Sequence, residues 1–111
     1  MDTFAVLADK TRRRIIELLG SRGQLSATEI CAQFAVSAPA ISQHLKLLRE
    51  AGVVTMRKRG QQRLYQVNPA AFAPMETWLE RLTQQVNERF DALDEVLAAE
   101  QRRTSGANPT E

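Results

Sequence analysis

The spacing of apolar residues changes twice along this 111-residue chain, and the changes limit the folds that it can adopt. Up to Gly52, apolar residues recur three and four positions apart, which is typical of helices buried on one side. From Val53 to Val67 they alternate as in β-strands, and Gly60 lies where the chain reverses. Beyond Asn68 the helical spacing returns. The sequence therefore predicts a mainly α-helical fold that carries one β-hairpin.

Capping residues place the helices before the hairpin. Helices are predicted over residues 2–8, 10–19, 27 to about 35, and 38–51. Ser26 and Glu29 match a capping box, in which each side chain binds the other residue's amide. Ser37 is the expected N-cap of the fourth helix, and Gly20 and Gly52 are the expected stops of the second and fourth. A three-residue turn is predicted between the third and fourth helices.

The hairpin is followed by a long helix. Strands are predicted over residues 53–57 and 63–67, and the helix from about Ala70 to Ala99, capped by Asn68. Residues 101–111 are predicted to be a disordered tail, because glycine, proline and polar residues dominate there. The predicted order is α-α-α-α-β-β-α, and residues 1–100 form one domain.

Charge is divided unevenly between the two parts of the chain. Residues 1–68 contain 11 Lys and Arg against 5 Asp and Glu, a net charge of +6. Residues 69–111 contain 4 against 8, a net charge of −4. A basic part favours a polyanionic partner, whereas an acidic helix is repelled by one. The total of +2 therefore conceals two parts that we expect to have different roles.

The fourth helix is predicted to bury Ile41, Leu45 and Leu48 and to expose a polar face. An α-helix fits the major groove of DNA, where Gln binds adenine and Ser binds either kind of base edge. The predicted DNA-binding residues of this helix are Ser37, Ala38, Pro39, Ala40, Ser42, Gln43, His44 and Lys46. A solvated polar face is the alternative, and His44 either contacts phosphate or bonds to its neighbours.

The hairpin carries a dense cluster of positive charge. Arg57, Lys58, Arg59 and Arg63 lie within seven residues with no acid among them, and such a cluster binds DNA through counterion release. Cations that merely protect a strand edge from aggregation are the alternative. The hairpin residues predicted to contact DNA are Arg57, Lys58, Arg59, Gln61, Arg63 and Tyr65. A helix-turn-helix followed by this wing predicts a winged helix-turn-helix that binds double-stranded DNA.

Apolar residues continue along the last helix for longer than a small core requires. We expect the excess to pack on the first helix and on a second copy of the chain in a two-fold dimer. The predicted dimer interface comprises Phe4, Leu7, Phe72, Met75, Trp78, Leu79, Leu82, Val86, Phe90, Leu93 and Val96. A long helix folded across its own core is the alternative. A dimer would place two recognition helices about 34 Å apart.

These residues resemble the ArsR family of bacterial winged-helix repressors over about residues 2–97. The similar segments are Leu7–Leu19, Val36–Val54, Arg57–Gln61 and Leu64–Tyr65. The resemblance implies a homodimer that binds an imperfect inverted repeat near its own promoter and is released by a signal. It also implies that Ser42 and Gln43 contact bases, while the hairpin arginines contact flanking backbone or the minor groove.

The chain departs from the metal-sensing members of that family. Their Cys-x-Cys-x-x-Cys pattern matches Ser26, Thr28 and Cys31 here, and residues 70–100 contain no His. Soft metals need several thiolates and zinc needs sets of His or Cys, so no metal site and no cofactor are predicted. Cys31 is expected to pack as a small hydrophobe, with a thiol switch as the alternative.

Other functions fit these residues less well. No catalytic residues are predicted, because the single His and single Cys lack an orienting third group and a pocket. A winged-helix module for protein interaction, or a repressor that responds to a thiol or small molecule, are the alternative functions. No apolar run approaches the roughly 20 residues of a membrane span, and the N-terminal segment lacks a cationic leader. We therefore expect a cytoplasmic chain with no membrane partner.

Overall fold

The computed structural model describes the backbone of residues 1–107 and the side chains of residues 1–103. The elements are α1 (Thr3–Val6), α2 (Lys10–Arg22), β1 (Leu25–Ser26), α3 (Ala27–Ala32), α4 (Ala38–Glu50), β2 (Val54–Arg59), β3 (Gln62–Val67), a 3-10 turn (Pro69–Phe72) and α5 (Ala73–Ala107). The predicted mainly helical fold with a β-hairpin wing is confirmed. The structure adds the short strand β1 and the 3-10 turn.

The chain divides into two compact units, residues 1–75 and residues from 76 onward. The first unit contains the apolar core. Residues from α1, α2, α3, α4 and all three strands meet there, and the completely buried members are Val6, Ile15, Leu19, Ile30, Ile41, Leu48 and Val53. Burial of each such side chain stabilises the fold by about 1.5–3 kcal/mol relative to its exposure. This shared core fixes α4 against the wing.

The ends of α1, α2 and α3 differ from the prediction, and α1 already stops at Val6 where an end at Ala8 was predicted. Helix α2 continues through Gly20 and ends at Arg22, and its C-cap Gly23 has a φ of 88°, which glycine adopts without strain. Helix α3 ends at Ala32 because the N–H of Gln33 already bonds to Ile30 O. Five residues, rather than three, therefore connect α3 to α4. The capping box is confirmed, since the N–H of Ser26 donates to the Glu29 carboxylate at 2.9 Å.

The strands form an antiparallel sheet in the order β1-β3-β2. The wing strands are longer than predicted, so only Gly60 and Gln61 connect them. Gly60 has a φ of 63°, which suits the first central position of a two-residue hairpin turn. Asn68 does not cap the next helix with its side chain. Its amide instead donates to Gly52 O at 2.9 Å and closes the base of the hairpin.

The last helix extends beyond its predicted end at Ala99. Helix α5 reaches Ala107, so residues 101–107 are helical where a disordered tail was predicted. Glu100 and Arg103 form an ion pair one turn apart, and Arg102 and Arg103 are themselves good helix formers. Residues 108–111 of the predicted tail lie outside the described residues. Over the described residues, no helix is long and apolar enough to cross a membrane.

Candidate nucleic-acid interface

Helix α4 presents a polar face to solvent. Ile41, Leu45 and Leu48 are exposed by 2% or less, and their burial fixes the rotation of the helix about its axis. Ser42 and Gln43 are consequently exposed, as predicted. Side chains of this type, on a helix held by its opposite face, are able to reach base edges in a major groove. Helix α4 is therefore named the recognition helix.

The N-terminal end of the recognition helix is capped and uncrowded. The N–H of Ala40 donates to the Ser37 hydroxyl oxygen at 3.3 Å, and Pro39 occupies the first turn. Ser37, Ala38 and Pro39 are exposed, whereas Ala40 is half-buried. Small side chains allow a nucleic-acid backbone to approach, and the first-turn amides attract phosphate.

A groove of about 550 Å³ separates the recognition helix from the wing. Ser42, Gln43 and Lys46 line one side, and Arg63 and Tyr65 line the other. Its charged rim also includes Arg49 and Glu50, which the sequence prediction did not include. Both follow Lys46 on the same polar face, so helical spacing could have indicated them. The groove brings predicted base-contacting and phosphate-contacting side chains together.

The wing cations lie on two faces of the hairpin. Residues directly opposite in an antiparallel ladder place their side chains on one face. Lys58 pairs with Arg63, while Arg57 pairs with Leu64 on the other face. Arg63 faces the groove, and Arg57 instead lines a separate depression beside Gln24. The sequence prediction treated these cations as one cluster, because their faces depend on the strand register.

The remaining predicted wing residues divide by burial. Lys58, Arg59 and Gln61 are exposed, as a DNA contact requires. Tyr65 is only 6% exposed and belongs to the core. It lies opposite Met56 on the buried side of the ladder, which is why it lines the floor of the groove rather than projecting from the wing.

Comparisons with known proteins agree with this architecture. A helix-turn-helix domain family matches residues 7–57. The HTH-type transcriptional regulator Rv2034 of Mycobacterium tuberculosis is 45% identical over 78 residues, which cover 70% of this chain and 72% of that protein. The transcriptional repressor SdpR of Bacillus subtilis is 33% identical over 78 residues, covering 70% and 86% respectively. The solved structure of an ArsR-like transcriptional regulator from Rhodococcus sp. RHA1 matches with a TM-score of 0.70 at 32% identity, covering 84% of this chain and 87% of that one.

The chain belongs to the ArsR family of winged helix-turn-helix transcriptional regulators. Membership places it among regulators of transcription and not among enzymes. The polar face of α4 and the cationic wing are the parts of this ArsR-family fold that suit a nucleic acid.

Carboxylates at two helix caps of this ArsR-family chain have lowered pKa values. The N–H of Arg12 donates to Asp9 and holds the pKa of that carboxyl low, while partial burial opposes this effect and the nearby charge of Arg12 adds to it. The N–H and hydroxyl of Ser26 bond to the Glu29 carboxylate and lower its pKa in the same way. Both carboxylates are thus held ionised at helix N-termini.

The cysteine and its surroundings offer little metal-binding chemistry. Within residues 1–103, no group of three His, Cys, Asp or Glu side chains is placed to hold a metal ion. Cys31 is a half-buried free thiol that packs beside the core. Ser26 is 3% exposed. Its hydroxyl accepts the N–H of Glu29 at 3.1 Å and is committed to the helix cap.

Apolar residues line the outside of α5 in the second unit. Leu79, Leu82, Val86, Phe90, Leu93 and Val96 are 40–63% exposed, and Trp78 is 52% exposed. Among the other predicted interface residues, Phe4 is 44% exposed, while Leu7, Phe72 and Met75 are half-buried. Leu7 and Phe72 also pack against the core of the first unit. The exposed α5 residues Trp78, Leu79, Leu82, Val86, Phe90, Leu93 and Val96 are together named the α5 stripe.

Proposed function

We propose that this ArsR-family regulator is a homodimeric repressor that binds an inverted-repeat operator in double-stranded DNA and does not respond to metal ions. The observation that carries the proposal is the groove shared by the recognition helix and the wing. Gln43 and Ser42 offer hydrogen bonds to base edges on one side of it, and Arg63 offers a cation for phosphate on the other.

The wing supplies contacts that do not depend on sequence. Lys58 and Arg63 share one face, whereas Arg57 and Arg59 occupy the other. A hairpin with cations on both faces is suited to straddle one strand of the DNA backbone, since phosphates then lie on either side of it. The base contacts of Gln43 would then provide specificity, while the wing provides affinity.

The α5 stripe supports the homodimer. Apolar side chains that recur along one helix and are exposed by 40% or more are unfavourable in a monomer. A two-fold dimer buries the same surface on both copies. It also repeats the recognition helix, which explains why an operator with two-fold symmetry is expected.

Independence of metal ions is supported by the chemistry at the matched positions. Cys31 supplies a single sulfur atom, Ser26 is used as a helix cap, and Thr28 is a poor ligand for soft metals. Binding to DNA is therefore expected to be unchanged by zinc, arsenite or a chelator.

Titration of the protein with its own upstream DNA tests this function. Fluorescence anisotropy is measured on that duplex and on a shuffled duplex of equal length. The wild type is expected to prefer its own upstream DNA, and Gln43→Ala to reduce that preference by about 1–3 kcal/mol. Gln101→Ala, an exposed glutamine on α5, is the control. Equal affinity of the wild type for both duplexes contradicts the proposal.

A further inference from the structure

His44 lies on the recognition helix but faces inward. Its side chain is 20% exposed, whereas its neighbour Gln43 is exposed to solvent. The imidazole Nδ1 atom lies 3.5 Å from Arg12 Nη1 and 4.0 Å from Asp9 Oδ2. Its nearest polar contacts therefore belong to the beginning of α2 and not to the groove.

Arg12 is itself held at three points. Its Nε–H donates to Val6 O at 2.6 Å, at the end of α1. Its backbone N–H donates to Asp9 Oδ2 at 2.9 Å, and its Nη1 reaches His44. A guanidinium fixed by its neighbours loses little further entropy on making another bond. One arginine thus connects the end of α1, the start of α2 and the middle of the recognition helix.

The chemistry of the pair defines the state of the histidine. Arginine only donates hydrogen bonds, so a hydrogen bond between Arg12 Nη1 and His44 Nδ1 requires the tautomer in which Nδ1 is the acceptor. The ring proton then resides on Nε2. A side chain whose Nδ1 accepts from Arg12 is held in one orientation, and the helix that carries it is held too.

We propose that His44 is a positioning residue: its Nδ1, bonded to Arg12, holds the recognition helix in place against the junction of α1 and α2, and it does not bind phosphate. This inference rests on the proposed DNA-binding function. It revises the predicted role of His44 as a DNA contact. The recognition helix also packs on the core through Ile41, Leu45 and Leu48, which fix its rotation about its axis, and the contact with Arg12 adds one directed bond to the beginning of α2.

Two amide substitutions separate the two nitrogen atoms of the ring. His44→Asn keeps an acceptor near the place of Nδ1 and removes the group at Nε2. His44→Gln keeps a donor near the place of Nε2 and removes the acceptor at Nδ1. Anisotropy on the upstream duplex, over a range of salt concentrations, measures both the affinity and the number of phosphate contacts. The free energy of urea unfolding shows that each variant is folded.

If His44 positions the helix through Nδ1, the affinity of His44→Asn for the upstream duplex should lie within about twofold of the wild-type affinity. His44→Gln is expected to bind about five- to tenfold more weakly, as for the removal of one hydrogen bond, with an unchanged salt slope. Arg12→Lys keeps the positive charge but removes the planar guanidinium that reaches His44. We expect it to weaken DNA binding as His44→Gln does. The double variant should bind no more weakly than Arg12→Lys alone, because the substitution of Arg12 already removes its contact with His44.

The opposite pattern overturns the inference. If His44→Asn weakens binding and flattens the salt slope by about one unit while His44→Gln does not, then Nε2 contacts phosphate. If neither substitution changes the affinity, or both lower it equally, the Nδ1 bond is not what positions the helix. Failure of the wild type to bind its upstream duplex is a separate result, and it contradicts the proposed function instead.

Discussion

Lys58 and Arg63 lie directly opposite each other in the wing ladder, so two positive charges share one face of the hairpin. Like charges in this position destabilise an antiparallel pair. Without bound DNA, the wing is therefore less stable than the same strand pair would be without the charge repulsion. A phosphate placed beside this face would relieve the repulsion, which couples the stability of the wing to the binding of an anion.

Removal of one of these charges should have opposite effects on folding and binding. We predict that Lys58→Thr raises the free energy of unfolding by about 0.2–1 kcal/mol and weakens DNA binding. Urea denaturation and anisotropy measure the two effects. Arg57→Thr is the control, because Arg57 faces Leu64 and has no like charge opposite it. Equal stabilisation by both substitutions would show that the paired charges are not its cause.

Most features of the recognition helix could be predicted from the sequence, because they depend on interactions between residues that are close in the chain. The N-cap at Ser37 and the burial of Ile41, Leu45 and Leu48 depend on residues close in the chain, and the structure agrees with both. The orientation of His44 depends on Arg12, which is 32 residues away. Helical spacing carries no information about such a partner.

The wing shows a different limit. Alternation of apolar residues predicted the hairpin, but the placement of Arg57 and Lys58 on opposite faces required the strand register. The register in turn depends on a two-residue turn at Gly60, which the five-residue loop of the prediction obscured. Gly20 was predicted to end the second helix, but α2 continues through it. Burial of the apolar residues of α2 in the core outweighs the low helix propensity of one glycine.

The tip of the wing should contribute affinity without specificity. Arg59 is exposed beside the turn. We predict that Arg59→Ala weakens binding to the upstream and shuffled duplexes alike, and flattens the salt slope by about one unit because one phosphate is no longer neutralised. Arg14→Ala removes an exposed charge from α2 and serves as the control. An unchanged slope for Arg59→Ala would mean that the tip does not touch phosphate.

The α5 stripe should determine the oligomeric state. We predict that the wild type sediments at micromolar concentration with twice the 12.5 kDa mass of the chain. Leu82→Asp places a charge within the stripe and is expected to give a monomer, because an unpaired buried charge is costly. Thr83→Asp, at an exposed position on the same helix, should remain dimeric. A dimer of Leu82→Asp would place the interface elsewhere.

Stability should fall in acid through the helix caps. Glu29 bonds to Ser26 most strongly when ionised, and the Ser26 N–H and hydroxyl hold its pKa in the folded chain below its ordinary value. A carboxyl whose pKa is lowered by folding stabilises the fold above its unfolded value and loses that contribution as the pH falls through its folded value. The free energy of unfolding should therefore decrease below about pH 4, the ordinary range of carboxyl groups.

Glu29→Gln isolates the contribution of this capping box. Glutamine still accepts the N–H of Ser26 but does not titrate, so we predict a shallower decrease in unfolding free energy between about pH 4 and pH 2.5. Glu17→Gln removes an exposed carboxylate on α2 and is the matched control. Urea unfolding followed by circular dichroism at each pH provides the comparison. If the two variants show the same dependence on pH, the acid sensitivity comes from net charge and not from the cap, because each substitution removes one negative charge but only Glu29 binds Ser26.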